Sequence, residues 1–255
     1  MKRNRVCIIT VSGAVYGVIM MVWLFGAATP FSVMASAPDW AWTLGPKDGH
    51  PRFLAFCPRL LNRERERPEC ICRASEQASK YADVRIRAKK YYRKRALFTQ
   101  YMNRATVEFD EDLAVELLQN LAVEREYRDE EGTYILARLT SADMKDPAFD
   151  AYAVGDGFEW AEGGFEIPGY RTAVGVAKRR RLFSDSIESA DRDALVRLAM
   201  QISSKVESGL LDAGKGMQGM FGYEAVEARI SGFYVLARGR SDDGRYYYSL
   251  AVCQR

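Results

Sequence analysis

The chain has 255 residues, 48% of them apolar, which is material for a real core in one large domain or two smaller ones. Lys and Arg number 37 against 34 Asp and Glu, so the net charge is only slightly positive, but the basic residues are clustered. A single histidine, His50, argues against a metal centre built on several imidazoles and against a His-based catalytic triad.

Lys2, Arg3 and Arg5 precede an apolar run over residues 6–25. Val33-Met34-Ala35 and Ala35-Ser36-Ala37 both fit the small-residue cleavage pattern of a secretory signal, and Pro38 hinders cleavage after Ala37, which favours Ala35. A run of about 20 residues is also long enough to span a bilayer. Residues 1–37 therefore read as a cleaved signal peptide, the favoured reading, or as an uncleaved membrane anchor. Either way the basic end stays in the cytoplasm and the rest is exported, to a periplasmic or inner-membrane-anchored position. Cys7 lies inside the apolar run without the Leu-small-small context of a lipid-bearing cysteine.

Trp40 and Trp42 lie in an approach segment, and residues 52–56 read as a strand. A charged loop over 58–69 separates Cys57 from Cys70 and Cys72. With Cys253 these make four exported cysteines, for which three complete disulfide pairings stay open. A Cys57 bridge to Cys70 or Cys72 would close a loop of roughly 15 residues, contributing about 3 kcal/mol in the chain-entropy account. The spacing of Ala74, Ala78, Ala82 and Ile86 predicts a helix over residues 74–101. Its second half is strongly basic, with Arg85, Arg87, Lys89, Lys90, Arg93, Lys94 and Arg95 around Tyr91 and Tyr92.

Residues 108–120 suit helix or strand. Residues 121–127 and 133–139 are predicted strands joined by a hairpin turn carrying Gly132. Residues 140–169, rich in Gly, Asp and Pro, are the linker candidate. A short strand over 172–177 comes next, with Gly175 marking a bulge or a close backbone approach. A long amphipathic helix is predicted from Asp185, a candidate N-cap, to about residue 211, with Ala190, Ala194, Leu198, Ile202, Val206 and Leu210 on its apolar stripe. Gly214 and Gly216 are its candidate stops, 216–222 a loop, and 226–230, 233–237 and 245–253 strands, the last two joined at Asp243-Gly244.

The halves match at an offset of 112 residues: Ala78, Ala82, Val84, Arg85 and Ile86 with Ala190, Ala194, Val196, Arg197 and Leu198, then Val123, Arg128, Gly132 and Tyr134 with Val235, Arg240, Gly244 and Tyr246. This predicts an α+β protein made by tandem duplication of a β-α-β-β unit, each an antiparallel sheet with one long helix on a face, after an N-terminal apolar helix. The units are 38–142 and 170–255, with a linker over 143–169.

The second unit carries further signals: Trp160 before Gly175-Val176, the Ala-spaced helix with Ile202, Val206 and Ser208 at its end, then Asp243-Gly244-Arg245-Tyr246-Tyr247 and the Ala251-Val252 strand. In these it resembles the bacterial LPP-twenty lipoprotein family and the related domains of flagellar outer-membrane assembly proteins. The resemblance spans 160–255 and reaches the first half through the repeat. It implies an envelope-facing α+β domain, usually associated with the outer membrane, with no catalytic residues to carry over. The absent lipid-bearing cysteine separates this chain from the family's attachment.

The basic stretch 85–95 is the sharpest candidate site, for lipid phosphates, lipopolysaccharide or an acidic protein rather than nucleic acid. Its bland reading, the favoured one, is a solvated helix face neutralised by the acids of 108–116 and 124–131. The basic run Lys178-Arg179-Arg180-Arg181 before the second helix is a weaker pointer to an anionic partner. His50 is structural, the run Asp110-Glu111-Asp112 solvated, and Met217, Met220 and Phe221 either a sticky loop or core closure. No glycine-rich phosphate loop or nucleophile elbow is present. Together these features predict a non-enzymatic interaction or scaffolding protein without cofactor. Its expected partners are envelope proteins or anionic lipid or polymer, its own copies, and the membrane if the N-terminal segment is retained.

Overall fold

The computed structural model describes residues 38–42, 44–95, 98–141, 160–161, 166–203, 205–213 and 217–255, and their side chains outside 89–104 and 205–224. The expected N-terminal apolar helix, the cleavage residues Ala35 and Ala37, most of the linker, and Gly214 and Gly216 lie outside the described residues. The rest belongs to one compact unit, Ala37–Arg255. It is mixed α+β, with three antiparallel sheets and three α-helices among the described residues.

In chain order the elements are β1 (Arg52–Pro58), α1 (Glu66–Ala82), β2 (Val84–Arg95), β3 (Phe98–Phe109), α2 (Glu111–Leu117), β4 (Leu121–Arg128), β5 (Gly132–Leu139), β6 (Tyr170–Lys178), α3 (Phe183–Ile202), β7 (Lys205–Ala213), β8 (Met217–Ile230), β9 (Tyr234–Arg240) and β10 (Tyr246–Gln254). The first sheet has the order β1-β5-β4, the second β6-β10-β9, and the third β3-β2-β8-β7. Each half thus runs strand, helix, hairpin, strand, strand. The two hairpins leave their own sheets and pair with each other along β2 and β8, from Val84 opposite Ile230 to Lys94 opposite Met220.

Strand alternation assigns each face its partner. Ala55, Cys57, Ile135 and Ala137 pack with Cys70 and Ala74 of α1. The opposite face, with Leu54, Phe56, Tyr134 and Leu136, enters the largest core. It meets Phe183, Ile187 and Leu198 of α3 there, and Val84, Ile86, Ala88, Val226, Ala228 and Ile230 at the roots of the hairpins. On the second sheet, Leu250, Val252, Tyr234 and Leu236 cover Trp160 and Ile167 on the face away from α3.

Gly175 allows α3 to lie against β6. A Cβ there would stand 2.0 Å from the Ala190 carbonyl oxygen and 2.3 Å from the Ala194 nitrogen, both backbone atoms of α3. The close approach read from Gly175 and the small residues Ala190 and Ala194 is what the structure contains.

Several boundaries differ from expectation. The first helix begins at Glu66, inside the supposed charged loop, and stops at Ala82, where Asp83 turns extended. The basic stretch from Arg85 to Arg95 is therefore strand, not helix: Val84, Ile86 and Ala88 are buried while Arg85 and Arg87 are exposed, a period of two. The second helix ends at Ile202, with Val206 and Leu210 on β7, and residues 217–222 belong to β8 rather than a loop. Its N-cap is Leu182 rather than Asp185. The 112-residue match holds for the final hairpins, where Gly132 and Gly244 both sit at turns. It fails at Val84–Ile86 against Val196–Leu198, which pairs strand with helix.

Glu66 fastens the start of α1. Its fully buried carboxylate accepts hydrogen bonds from Thr133 Oγ1 at 2.7 Å, Leu60 N at 3.0 Å and Arg63 Nε at 3.1 Å. Burial alone would raise its pKa, but the bonds from Thr133, Arg63 and Leu60 outweigh that and bring it from the ordinary 4.5 down to about 2. A carboxyl lowered on folding contributes stability that is fully present above pH 4.5 and is lost as the pH falls through that value towards 2. Glu66→Gln should therefore cost about 2 kcal/mol at neutral pH and flatten the acid limb of the stability curve. Urea unfolding at stepped pH checks this, and parallel acid limbs for the two proteins would refute the assignment.

Candidate functional site

α1 presents Glu69, Arg73, Glu76, Gln77 and Lys80 on one face, as helical spacing dictates. Across from them stand Glu188, Asp191 and Arg192 of α3, and the space between is a cleft of about 1010 Å³. Arg73 spans it, with Nη1 4.0 Å from Glu188 and 3.2 Å from the Phe56 carbonyl oxygen. Lys80 Nζ lies 4.7 Å from the centre of the Phe109 ring. Burial lowers the Lys80 pKa against the pull of Glu76 and Glu188, and burial raises that of Glu188 against the pull of Arg73.

At the cleft floor is a polar node. Arg238 on β9 and Ser249 on β10 are directly paired in register, so both face α3. Asp191 of α3 accepts Arg238 Nη2 at 2.6 Å and Nε at 3.1 Å, and also accepts the Ser249 hydroxyl. The Arg238 backbone N–H donates to the Trp42 carbonyl at 2.7 Å. Arg238 Nη1 is buried without an acceptor among the described residues. Both Asp191 oxygens are engaged, Oδ1 by Arg238 Nε and the Ser249 hydroxyl and Oδ2 by Arg238 Nη2. The node is a bidentate clamp tying α3 to the second sheet.

The sequence-derived candidates are scattered relative to this cleft. Arg87 is exposed and neutralised by its cross-strand neighbours, with Nε 3.1 Å from Glu227 and Nη1 3.1 Å from Glu108. Those bonds raise its pKa, Glu227 most of all. Arg85 is exposed opposite Glu108 and Arg229. Lys89, Lys90, Arg93, Lys94 and Arg95 lie on β2 by backbone, with side chains outside the described residues. Strand alternation divides the expected single stripe, with 85, 87, 89, 93 and 95 on one face and 90 and 94 on the other.

All four candidate disulfide cysteines, Cys57, Cys70, Cys72 and Cys253, are unbridged. Cys57 and Cys70 are buried in one cluster; the Cys70 thiol donates to the Thr133 carbonyl at 3.3 Å, and Thr133 is the register partner of Cys57. Burial pushes the Cys70 thiol up to about 12, with Cys57 adding to the rise. Cys72 is exposed and Cys253 is buried on β10. His50 forms a bridge with Lys47, and Asp110 caps α2 by accepting Leu113 N at 3.0 Å. Among the described residues no three of His, Cys, Asp and Glu gather at metal-binding range.

The node was missed in the sequence, although it left a signal. Arg238 interrupts the apolar strand Tyr-Val-Leu-Ala-Arg, Ser249 interrupts another, and Asp191 adjoins Ala190 on the helix stripe. Three polar intrusions on faces that meet are a buried network. Comparison with protein families, with curated proteins and with solved structures returned no match.

Asp191→Ala would leave the Arg238 guanidinium buried and uncompensated, at a cost of about 3–5 kcal/mol, whereas the double variant with Arg238→Met should recover much of it. A double-mutant cycle by urea unfolding measures this, and additive losses would contradict the clamp.

Proposed function

We propose that the chain is a non-enzymatic exported envelope protein that acts by interaction or scaffolding within a larger envelope or flagellar assembly. It is built as a tandem duplication of a β-α-β-β unit with a hairpin inserted after each helix. Support for the duplication comes from the shared strand orders β1-β5-β4 and β6-β10-β9, the equivalent hairpin insertions, and the paired turn glycines Gly132 and Gly244. Support for export comes from the basic-apolar N-terminus and its small-residue sites at Ala35 and Ala37. The resemblance of residues 160–255 to the LPP-twenty family adds the envelope setting.

The observation that carries the interaction reading is the third sheet. Its four strands come only from the inserted hairpins, and its ladder continues from the buried roots at Val84 and Ile230 to Lys94 opposite Met220. A sheet drawn from both halves, additional to the two that carry the helices, serves as an arm for contact. Among the described residues its edge strands, β3 and β7, pair with no further strand, although Arg192 donates to the Ala105 carbonyl on β3 at 3.2 Å.

A second reading, binding of anionic envelope polymers or lipids through residues 85–95, draws on like charges in register. Arg85 stands opposite Arg229, and Lys89 opposite Arg104. Juxtaposed cations are costly without an anion, although Asp83 already holds Arg229 at 2.7 Å.

The test is to replace residues 91–102 with Asn-Gly, so that Lys90 and Asn103 close the shortened hairpin. In envelope fractions the intact chain should run on native gels as a species larger than the monomer. The shortened chain should lose that species while its melting temperature stays within about 5 °C. N-terminal mapping of the same fractions should find the chain either starting at Ser36 or membrane-bound and uncleaved. An intact chain that is monomeric throughout, or soluble in the cytoplasm, would sink the proposal.

A further inference from the structure

The basic run before α3 is more informative in the structure than in the sequence. Lys178 ends β6 opposite Tyr246, Arg240 ends β9 opposite Tyr247, and the Arg179 N–H donates to the Arg245 carbonyl at 2.8 Å. The Arg180 N–H donates to Ser186 Oγ at 2.9 Å, which holds the loop on the first turn of α3. The 178–181 loop, the end of β9 and the β9–β10 turn therefore meet at one end of the second sheet.

The side chains gathered there are exposed: Lys178, Arg180, Arg181 and Arg240 all face solvent, Arg245 is 80% exposed, and Tyr246 is 37% exposed despite its size. Among the described residues no carboxylate lies within ion-pair distance of Lys178, Arg180, Arg181 or Arg240. What sets these cations apart is their clustering, because other arginines such as Arg59, Arg65, Arg125 and Arg171 also lie outside ion pairs among the described residues. Arg52, Arg63, Arg67, Arg87, Arg128 and Arg229 are all held in ion pairs. Of the acids nearest in sequence, Asp243 is engaged by Arg245 and Ser241, and Asp185 and Asp242 form no ion pair with the patch among the described residues. The N-terminal end of α3 would ordinarily repel these cations. It is capped instead by an anion from the first half, since Glu131 Oε2 accepts the Phe183 N–H at 3.0 Å.

We propose that this end of the second sheet is a docking surface for a bilayer of anionic phospholipids. Lys178, Arg180, Arg181 and Arg240 meet headgroup phosphates there, and Tyr246 sits at headgroup depth. The four cations are spread over two strand ends and a loop instead of converging on one point. That arrangement matches a continuous anionic surface better than a single small anion. Tyrosine beside cations is the composition of a membrane interface, with an apolar ring and a polar tip. Each lysine or arginine brought to an anionic leaflet strengthens association about fivefold. The proposal does not depend on the scaffolding reading, because any anionic bilayer satisfies it.

The test uses the full chain and vesicle flotation, with phosphatidylcholine alone against phosphatidylcholine containing about 30% phosphatidylglycerol. Binding to phosphatidylcholine measures the apolar N-terminal segment and should be equal in all variants. The wild type should prefer the anionic vesicles about tenfold or more, and lose that preference in about 0.5 M NaCl. The variant K178E/R180E/R181E/R240E should lose it at low salt, with an unchanged circular dichroism melt because the positions are exposed. The variant R93E/K94E/R95E should keep it. The proposal is overturned if the wild type shows no preference, if the preference survives the quadruple change, or if it is lost only with the β2 triple change. Binding to dextran sulfate without a preference for anionic vesicles would also overturn it, in favour of a polymer.

Discussion

The two halves are joined through the antiparallel pairing of β2 with β8. Each half alone has a three-stranded sheet and a helix, and each places a hairpin directly after that helix. Only Asp83 separates α1 from β2. The hairpin roots supply Val84, Ile86, Ala88, Val226, Ala228 and Ile230 to the largest core, so the ladder that joins the halves also lines their common interior. A slip of one residue would turn those six side chains out and bring Arg85, Arg87, Glu227 and Arg229 in. The register is thereby enforced by burial at the root.

Charged groups act as fasteners between segments far apart in sequence. Glu66 gathers Leu60, Arg63 and Thr133 at the start of α1. Asp191 binds Arg238 and Ser249 across the cleft floor. Glu131, on the turn of the first half's final hairpin, caps the helix of the second. Buried charges of this kind contribute less net stability than apolar side chains of equal volume, and their removal one partner at a time is costly. What they supply here is position, because each fixes where a helix begins or lies.

Much of this was legible in the sequence. The strands β1, β5, β6, β9 and β10, the turns at Gly132 and Gly244, and the small residues that bring α3 onto β6 all announce themselves through composition and turn chemistry. The extents of the helices did not, for a reason of arithmetic. A spacing of four is also twice a spacing of two, so Ala82 and Ile86, or Ile202, Val206 and Leu210, satisfy a helix and a strand equally. The neighbours at three residues decide the matter. Within α3, Ile187 with Ala190, and Leu195 with Leu198, supply them. At the start of β2 the apolar residues are Val84, Ile86 and Ala88, a bare alternation. Reading the basic run as strand from that alternation would have divided its charges between two faces at once. The fasteners were harder still to read, since Glu66, Glu131 and Asp191 find their partners only after the chain has closed.

Surfaces suited to binding differ from those occupied with holding the fold in whether their charges have partners within the molecule. Several charges in the cleft between α1 and α3 face one another: Arg73 reaches Glu188, Asp191 is held by Arg238, and Asp193 receives Arg197 and the Val176 N–H, while Lys178 and Arg180 border it on the side of the second sheet. Arg87 on β2 is likewise held by Glu108 and Glu227. The end of the second sheet is different, because the helix dipole beneath its cations has been answered by Glu131 and the cations themselves have not. Charge left unpaired and clustered at one end of a sheet is charge available to something outside the molecule.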